Sequence, residues 1–355
     1  MIKKIKKIAV IGLGYVGLPL AIEFGKKYNT IGYDLNLDRI KDLNNYIDNT
    51  GEVSLSNFKS SKYIKFTNSH NYLFDCNIFI VTVPTPVTKF NNPDFTFLKN
   101  ASKLVSKYLS KDNLVIYEST VYPGATEEIC VPILKKKSKL KYVDFKNKDE
   151  IGFYCGYSPE RVNPGDKKHR LKNILKIVAG STPQVTKFMD KLYSSIINKG
   201  TFVASSIKVA EAAKVIENTQ RDINISLMNE LSIICNKIGI DTNEVIDAAN
   251  TKWNFINFRP GLVGGHCISV DPYYLTYKSK KIGYKPKVIL SGRKINDSMG
   301  LRIGKIAYNF LNIKQNNIKN FNVLILGTTF KENCPDIRNS QTIKIFNYLT
   351  SKKIN

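Results

Sequence analysis

The 355-residue chain has one tryptophan, four methionines, three histidines and no long apolar run. Its longest charge-free apolar stretch, Ile78 to Val87, is far short of the ~18 residues that span a bilayer and is broken by Pro84 and Pro86, so no transmembrane helix is expected. The basic start, Met1 to Lys7, leads into Ile8 to Ile11, but Gly12 and Gly14 end the apolar run too early for a secretion signal. The expected compartment is the cytoplasm. There Cys76, Cys130, Cys155, Cys235, Cys267 and Cys334 are expected to be free thiols, and no pair has Cys-x-x-Cys spacing. His70, His169 and His266 are too scattered for a zinc site, and no metal is expected.

Acid is also scarce: 29 Asp plus Glu stand against 54 Lys plus Arg, a formal net charge of +25. Such a field draws polyanions and anionic substrates. The lysines are spread along the whole chain, with no Arg-rich or aromatic-interleaved tract, so nucleic acid is not an expected partner. With 43% hydrophobic and 23% charged residues the composition is globular, and the length suits two or three domains.

What is present is an alternation of short β-branched runs with helical stretches. Ile8 to Ile11, Thr30 to Tyr33, Ile78 to Thr82 and Leu114 to Tyr117 read as buried parallel strands, with Ile174 to Gly180 as a later one. The fold class is therefore α/β, opening on a Rossmann-like doubly wound sheet over residues 1–190. Ser206 to Ile238 contains no Gly or Pro and predicts one helix of roughly 50 Å at ~1.5 Å per residue, stopping at Gly239. Asp241-Thr242-Asn243-Glu244 then has the form of a capping box, so residues 200–300 read as an all-helical central domain. A new strand is predicted near Asn322 to Gly327 and a helix over Ser340 to Leu349, the front of a third, incomplete Rossmann-like domain over residues 315–355.

Gly12-Leu13-Gly14-Tyr15-Val16-Gly17 follows a strand and opens a helix, the context in which glycines bring a pyrophosphate to a helix N-terminus. Asp34 ends the second strand, where a carboxylate accepts from a ribose and repels a 2′-phosphate, which favours NAD over NADP. In Gly264-Gly265-His266-Cys267-Ile268-Ser269-Val270-Asp271, glycines open access to a thiol. A helix starting at Cys267 would lower its pKa and put Asp271 one turn away. On the long helix, Lys214 and Asn218 share a face beside Ala210 and Ala213. Ser158-Pro159-Glu160-Arg161 and Glu118-Ser119-Thr120-Val121 put polar groups at strand ends.

Together these motifs, with the stretches Gly12 to Leu20, Tyr157 to Asp166, Ala204 to Glu230, Thr251 to Leu275 and Gly327 to Ser340, resemble the UDP-glucose/GDP-mannose dehydrogenase family. The likeness is greatest to its branch oxidising UDP-N-acetylhexosamines for bacterial surface polysaccharides. The resemblance implies oxidation of a sugar C6 alcohol to a carboxylate with two NAD. It implies Cys267 as nucleophile, Lys214 and Asn218 as oxyanion stabilisers, and Glu160 as general acid/base. Thr120 and Asp271 would hold water and tune Lys214. It further implies NAD contacts from Tyr15, Val16, Arg39, Thr85, Thr120, Lys331 and Arg338. Sugar or diphosphate contacts would come from Glu160, Lys214, Asn218, Arg259 and Gly264, and a homodimer would form through the central domain. Arg259 sits in Phe258-Arg259-Pro260-Gly261, whereas the UDP-glucose branch carries its sugar-reading arginine upstream, where this chain has Thr251-Lys252-Trp253. Family members continue through a complete third domain. A catalytically weak remnant that binds NAD or a partner therefore stands as an alternative, and a two-electron hydroxyacid dehydrogenase as another.

Overall fold

The computed structural model describes residues 4–147, 150–161, 170–265, 267–314, 322–329, 332 and 337–354, with backbone alone at 313 and 314. Two compact units divide it, 1–215 and 216–355.

Among its described residues the first unit has nine strands: β1 (Ile8–Ile11), β2 (Thr30–Tyr33), β3 (Ile64–Thr67), β4 (Ile78–Val81), β5 (Leu114–Tyr117), β6 (Lys141–Tyr142), β7 (Gly152–Tyr157), β8 (Lys176–Gly180) and β9 (Thr201–Val203). Their order is β3-β2-β1-β4-β5-β7-β8-β9, with β6 alongside β7. The strands from β3 to β7 pair in parallel, and β1, β4 and β5 are buried on both faces, which is why they read as unbroken apolar runs. Helices α1 (Gly17–Gly25), α2 (Leu37–Asn44), α3 (Leu55–Ser60), α4 (Thr96–Ser106), α5 (Val131–Ser138) and α6 (Pro183–Ser194) connect them. The order reverses between β1 and β4, so the crevice at their carboxyl ends is the place for a ligand.

One expected strand direction is corrected. β8 runs antiparallel to β7, Gly156 opposite Gly180, because a parallel return needs a helical crossover and no α-helix lies between them among the described residues. α6 then supplies such a crossover, and β9 is parallel to β8.

The long helix α7 (Ile207–Ile238) forms as expected and carries the boundary between the units. Beyond it lie α8 (Thr242–Ala249), α9 (Asp271–Lys281), α10 (Lys287–Lys314) and α11 (Gln341–Ser351). Asp241 caps α8, its side chain accepting from the Glu244 N–H, as the capping-box spacing predicts. The core of this unit is polar at its centre. Arg293 of α10, 2% exposed, donates to Asp222 Oδ1 of α7 at 2.6 Å and to Asp297 at 2.5 Å. Asn296 bridges Asp222 to Asn229.

The strand expected near Asn322 to Gly327 does not form, since an isolated strand finds no hydrogen-bonding neighbour among the described residues. Residues 322–326 nonetheless alternate. Val323 and Ile325 pack against Ile345, Leu349 and Ile354, while Leu324 and Leu326 face solvent. No helix among the described residues is long and apolar enough to cross a membrane.

Candidate active site

At the end of β1, Gly12 adopts φ +96° and donates its N–H to the Tyr33 carbonyl at 2.8 Å. A Cβ on Gly17 would lie 1.8 Å from the Gly12 carbonyl oxygen, so only glycine lets α1 start this close to the turn. Gly14, by contrast, borders open space, which leaves its backbone approachable. Among the described residues no side chain caps α1 at Val16, and within its first turn the Leu18 N–H donates to the Gly14 carbonyl at 3.1 Å. Asp34 shapes the same loop, accepting from Leu13 N–H at 2.8 Å and from Asn36 N–H at 2.9 Å.

Arg39 donates Nε to the Leu13 carbonyl at 3.0 Å and pairs with Asp48 at 2.9 Å, while its buried Nη1 finds no hydrogen-bond acceptor among the described residues. Thr82 ties the ends of β1 and β4 by donating to the Gly12 carbonyl at 2.7 Å. Tyr15, Val16, Thr85 and Thr120 are half-buried around the carboxyl ends of these strands. An open glycine turn, an uncapped helix start and an unsatisfied guanidinium nitrogen fit a dinucleotide's pyrophosphate and adenosine. Lys331 lies outside the described residues.

On α7, Lys214 is 5% exposed and its Nζ stands 3.6 Å from Glu160 Oε2. Burial pushes the Glu160 carboxyl above the usual range, against the pull of Lys214 and Lys176. One turn earlier, Glu211 accepts the Gly124 N–H at 2.5 Å and the Thr126 N–H at 2.9 Å, which anchors the helix to the segment after Thr120. Burial raises its carboxyl to about 7.

In the second unit the Asn218 amide is held at both ends. Nδ2 donates to Asp271 Oδ2 at 2.5 Å and Arg221 donates to Oδ1. No α-helix starts at Cys267. Residues 267–270 form a turn in which the Cys267 carbonyl accepts from Val270 and Asp271, and α9 begins only at Asp271. Pro272 explains the delay, since proline suits the first turn of a helix and not its interior. The Cys267 side chain is half-buried and forms no disulfide among the described residues. Gly264 is half-buried, and Gly265 is clasped by the C-terminal segment. It donates to the Arg338 carbonyl at 3.2 Å and accepts from Asn339 Nδ2 at 2.9 Å. Arg259 is partly exposed and paired with Asp247 of α8.

The geometry thus joins Lys214 with Glu160 and Asn218 with Asp271. Sequence reasoning noted Glu118 only as a polar group at a strand end and passed over Lys176, Glu211, Asn229 and Asn339. Lys176 alone left a visible signal, as a lysine inside an otherwise apolar strand.

Residues 6–197 match the model of the UDP-glucose/GDP-mannose dehydrogenase family NAD-binding domain, and residues 208–298 that of its central domain. The chain belongs to the UDP-glucose/GDP-mannose dehydrogenase family. It is 54% identical over 348 residues to the UDP-N-acetyl-D-glucosamine 6-dehydrogenase of Pseudomonas aeruginosa, covering 98% of this chain and 81% of that one. It is 55% identical over 339 residues to the Salmonella typhi protein of the same name, covering 96% and 78%. Among solved structures, a UDP-D-ManNAc dehydrogenase from Pyrococcus horikoshii superposes with a TM-score of 0.87 at 31% identity, covering 98% of this chain and 81% of that one. As a member of this family the chain is a nucleotide-sugar 6-dehydrogenase with NAD as cofactor.

Proposed function

We propose that the chain oxidises C6 of a UDP-N-acetylhexosamine, UDP-N-acetylglucosamine first and its galactosamine epimer second, to the uronate for surface-polysaccharide synthesis. The Gly12 to Gly17 turn, Asp34 and the start of α1 would hold the dinucleotide, which when bound would supply the hydride acceptor for both oxidations. Glu160 takes the proton from the C6 hydroxyl as the first hydride leaves. The Cys267 thiolate then adds to the aldehyde carbon, forming a C–S bond, as Glu160 returns its proton to the aldehyde oxygen. The thiohemiacetal gives its hydroxyl proton back to Glu160 and loses the second hydride to become a thioester. Once Glu160 has passed that proton to solvent it draws a proton from water, the water oxygen attacks the thioester, and the C–S bond breaks to release the thiolate and a carboxylic acid that ionises to the carboxylate. Lys214 and Asn218 carry the developing oxyanion, and Asp271 fixes the Asn218 amide. Thr120 holds the water.

The observation that carries this reading is the buried Lys214–Glu160 pair, one helical turn from Asn218. An acid raised by burial beside an ammonium is the apparatus that proton transfer at an alcohol and a thioester requires. The identity to two UDP-N-acetyl-D-glucosamine 6-dehydrogenases supports the substrate. Arg259 is proposed to leave Asp247 for the diphosphate, and Arg338 to approach the nucleotide. A homodimer through the helices of residues 216–300 belongs to the same reading, supported by the exposed Ile216, Leu227, Ile234 and Ile238 of α7. Its site of action would be the cytoplasm, where nucleotide sugars and NAD are found.

Counting products tests the reading. Two NADH per uronate are expected, and one NADH per turnover would remove the cysteine route in favour of a two-electron dehydrogenase. Cys267→Ala should abolish uronate formation while NAD still binds, and light scattering should give twice the monomer mass.

A further inference from the structure

Lys176 is 1% exposed, in a strand whose next residues are Ile177, Val178 and Ala179. Its Nζ donates to Glu118 Oε2 at 2.5 Å and to the Pro159 carbonyl at 3.0 Å. The Tyr193 hydroxyl, on α6, donates to the other Glu118 oxygen, and its ring centroid lies 5.6 Å from the ammonium. The corner is fixed again at Ser158, whose N–H donates to the Tyr117 carbonyl at 3.0 Å and whose Oγ donates to the Ile177 carbonyl at 2.7 Å. Four elements, β5, β7, β8 and α6, therefore meet one residue before Glu160.

Taking an ammonium and a carboxylate out of water costs several kcal/mol per ion, and well-packed apolar side chains would stabilise a strand end as well. Stability alone gives no reason for this pair. A charged donor on the Pro159 carbonyl does something an apolar residue cannot: it fixes the peptide plane from which Glu160 projects. We propose that Lys176, held by Glu118 and Tyr193, is a positioning residue for Glu160, clamping the preceding carbonyl so that the carboxylate meets Lys214. This rests on the assignment of Glu160 as the acid/base.

The pair also acts through charge. The groups bearing on the Glu160 carboxylate are Lys214 of α7, Lys176 of β8 and Glu118 at the end of β5. Burial raises its pKa most, the two ammoniums lower it, and Glu118 raises it. Loss of Lys176 and loss of Glu118 therefore displace Glu160 in opposite directions.

Lys176→Met, Glu118→Gln, Lys176→Arg and Glu160→Gln, assayed with NAD and UDP-N-acetylglucosamine across pH, test the inference. In Lys176→Met, kcat should fall by about tenfold to a hundredfold, as small misplacements of catalytic groups do, and the acid limb of kcat should move to higher pH. In Glu118→Gln the limb should move to lower pH. Lys176→Arg, which keeps the charge and a donor, should hold both kcat and limb near the parent. Limbs unmoved in folded Lys176→Met and Glu118→Gln would overturn the role, because a merely structural pair lowers melting temperature without moving either limb. If Lys176→Met does not fold, an unmoved limb in Glu118→Gln overturns it equally. Glu160→Gln separates the two levels. Parent-like turnover there removes the assignment of Glu160 itself, whereas an inactive Glu160→Gln with unmoved limbs elsewhere removes the positioning role alone.

Discussion

Glu211 shows how much one buried side chain can decide. Fully buried and facing two backbone N–H groups, it is pushed by burial to about 7 from an ordinary 4.5. Its folded-state pKa lies above the unfolded one, so its contribution to stability is fully present below about pH 4.5 and is lost as pH rises through 7. At ~1.4 kcal/mol per unit, the loss is roughly 3 kcal/mol. Thermal melts of the parent should therefore weaken between pH 5 and 7.5 relative to Glu211→Gln, which cannot titrate; parallel curves would refute the assignment. Gly17 sets a second residue-level test. An alanine there puts Cβ 1.8 Å from the Gly12 oxygen, a contact relieved only by moving the turn. NAD affinity in Gly17→Ala should fall at least about tenfold, ~1.4 kcal/mol, by fluorescence titration.

At the level of elements, Asn229 of α7 holds the loop that carries Arg259. Its Oδ1 accepts the Gly261 N–H at 2.9 Å, while its Nδ2 donates to the Gly261 carbonyl at 3.0 Å and to Asn296 Oδ1 at 2.8 Å. Asn229→Ala should raise KM for the nucleotide sugar several-fold and leave KM for NAD unchanged; a parallel rise in both would mean general loosening. Such a clasp is invisible in sequence because its partners are backbone groups 32 residues away, and no spacing rule points to them. The elements that were legible are those whose signal is local. β1, β4 and β5 are continuous apolar runs, β2 is a short buried run, α7 is an uninterrupted helix-forming stretch, and Asp241 caps α8. β3 escaped because Lys65 interrupts it at the sheet edge, and β7 because its two glycines read as turn residues. Gly12 to Gly17 and Asp34 were readable as a motif, whereas Glu118 and Lys176 form one buried pair only after β8 turns antiparallel to β7.

The charge of the whole molecule bears on how its substrates arrive. A net +25 is carried by lysines distributed along the chain, and both NAD and a UDP-sugar bear diphosphates. A field of this sign raises the local concentration and encounter rate of anions by as much as ~10 to 10³-fold, and salt removes the effect. Between about 0.01 M and 0.15 M ionic strength the Debye length contracts from ~30 Å to ~8 Å. The step after binding involves groups already enclosed, Lys214 and Glu160 among them, and is screened far less. Raising salt across this range should therefore lower kcat/KM for both substrates several-fold while kcat stays within about twofold of its low-salt value, the margin expected when only encounter is screened. The loss should follow ionic strength and not the identity of the salt, with sodium chloride and sodium acetate giving one curve. Because the charge is dispersed, single Lys→Gln changes at exposed positions remote from the site should each alter the slope little, and only their accumulation should flatten it. A kcat/KM indifferent to ionic strength would show that the excess of lysine plays no part in capturing these anions.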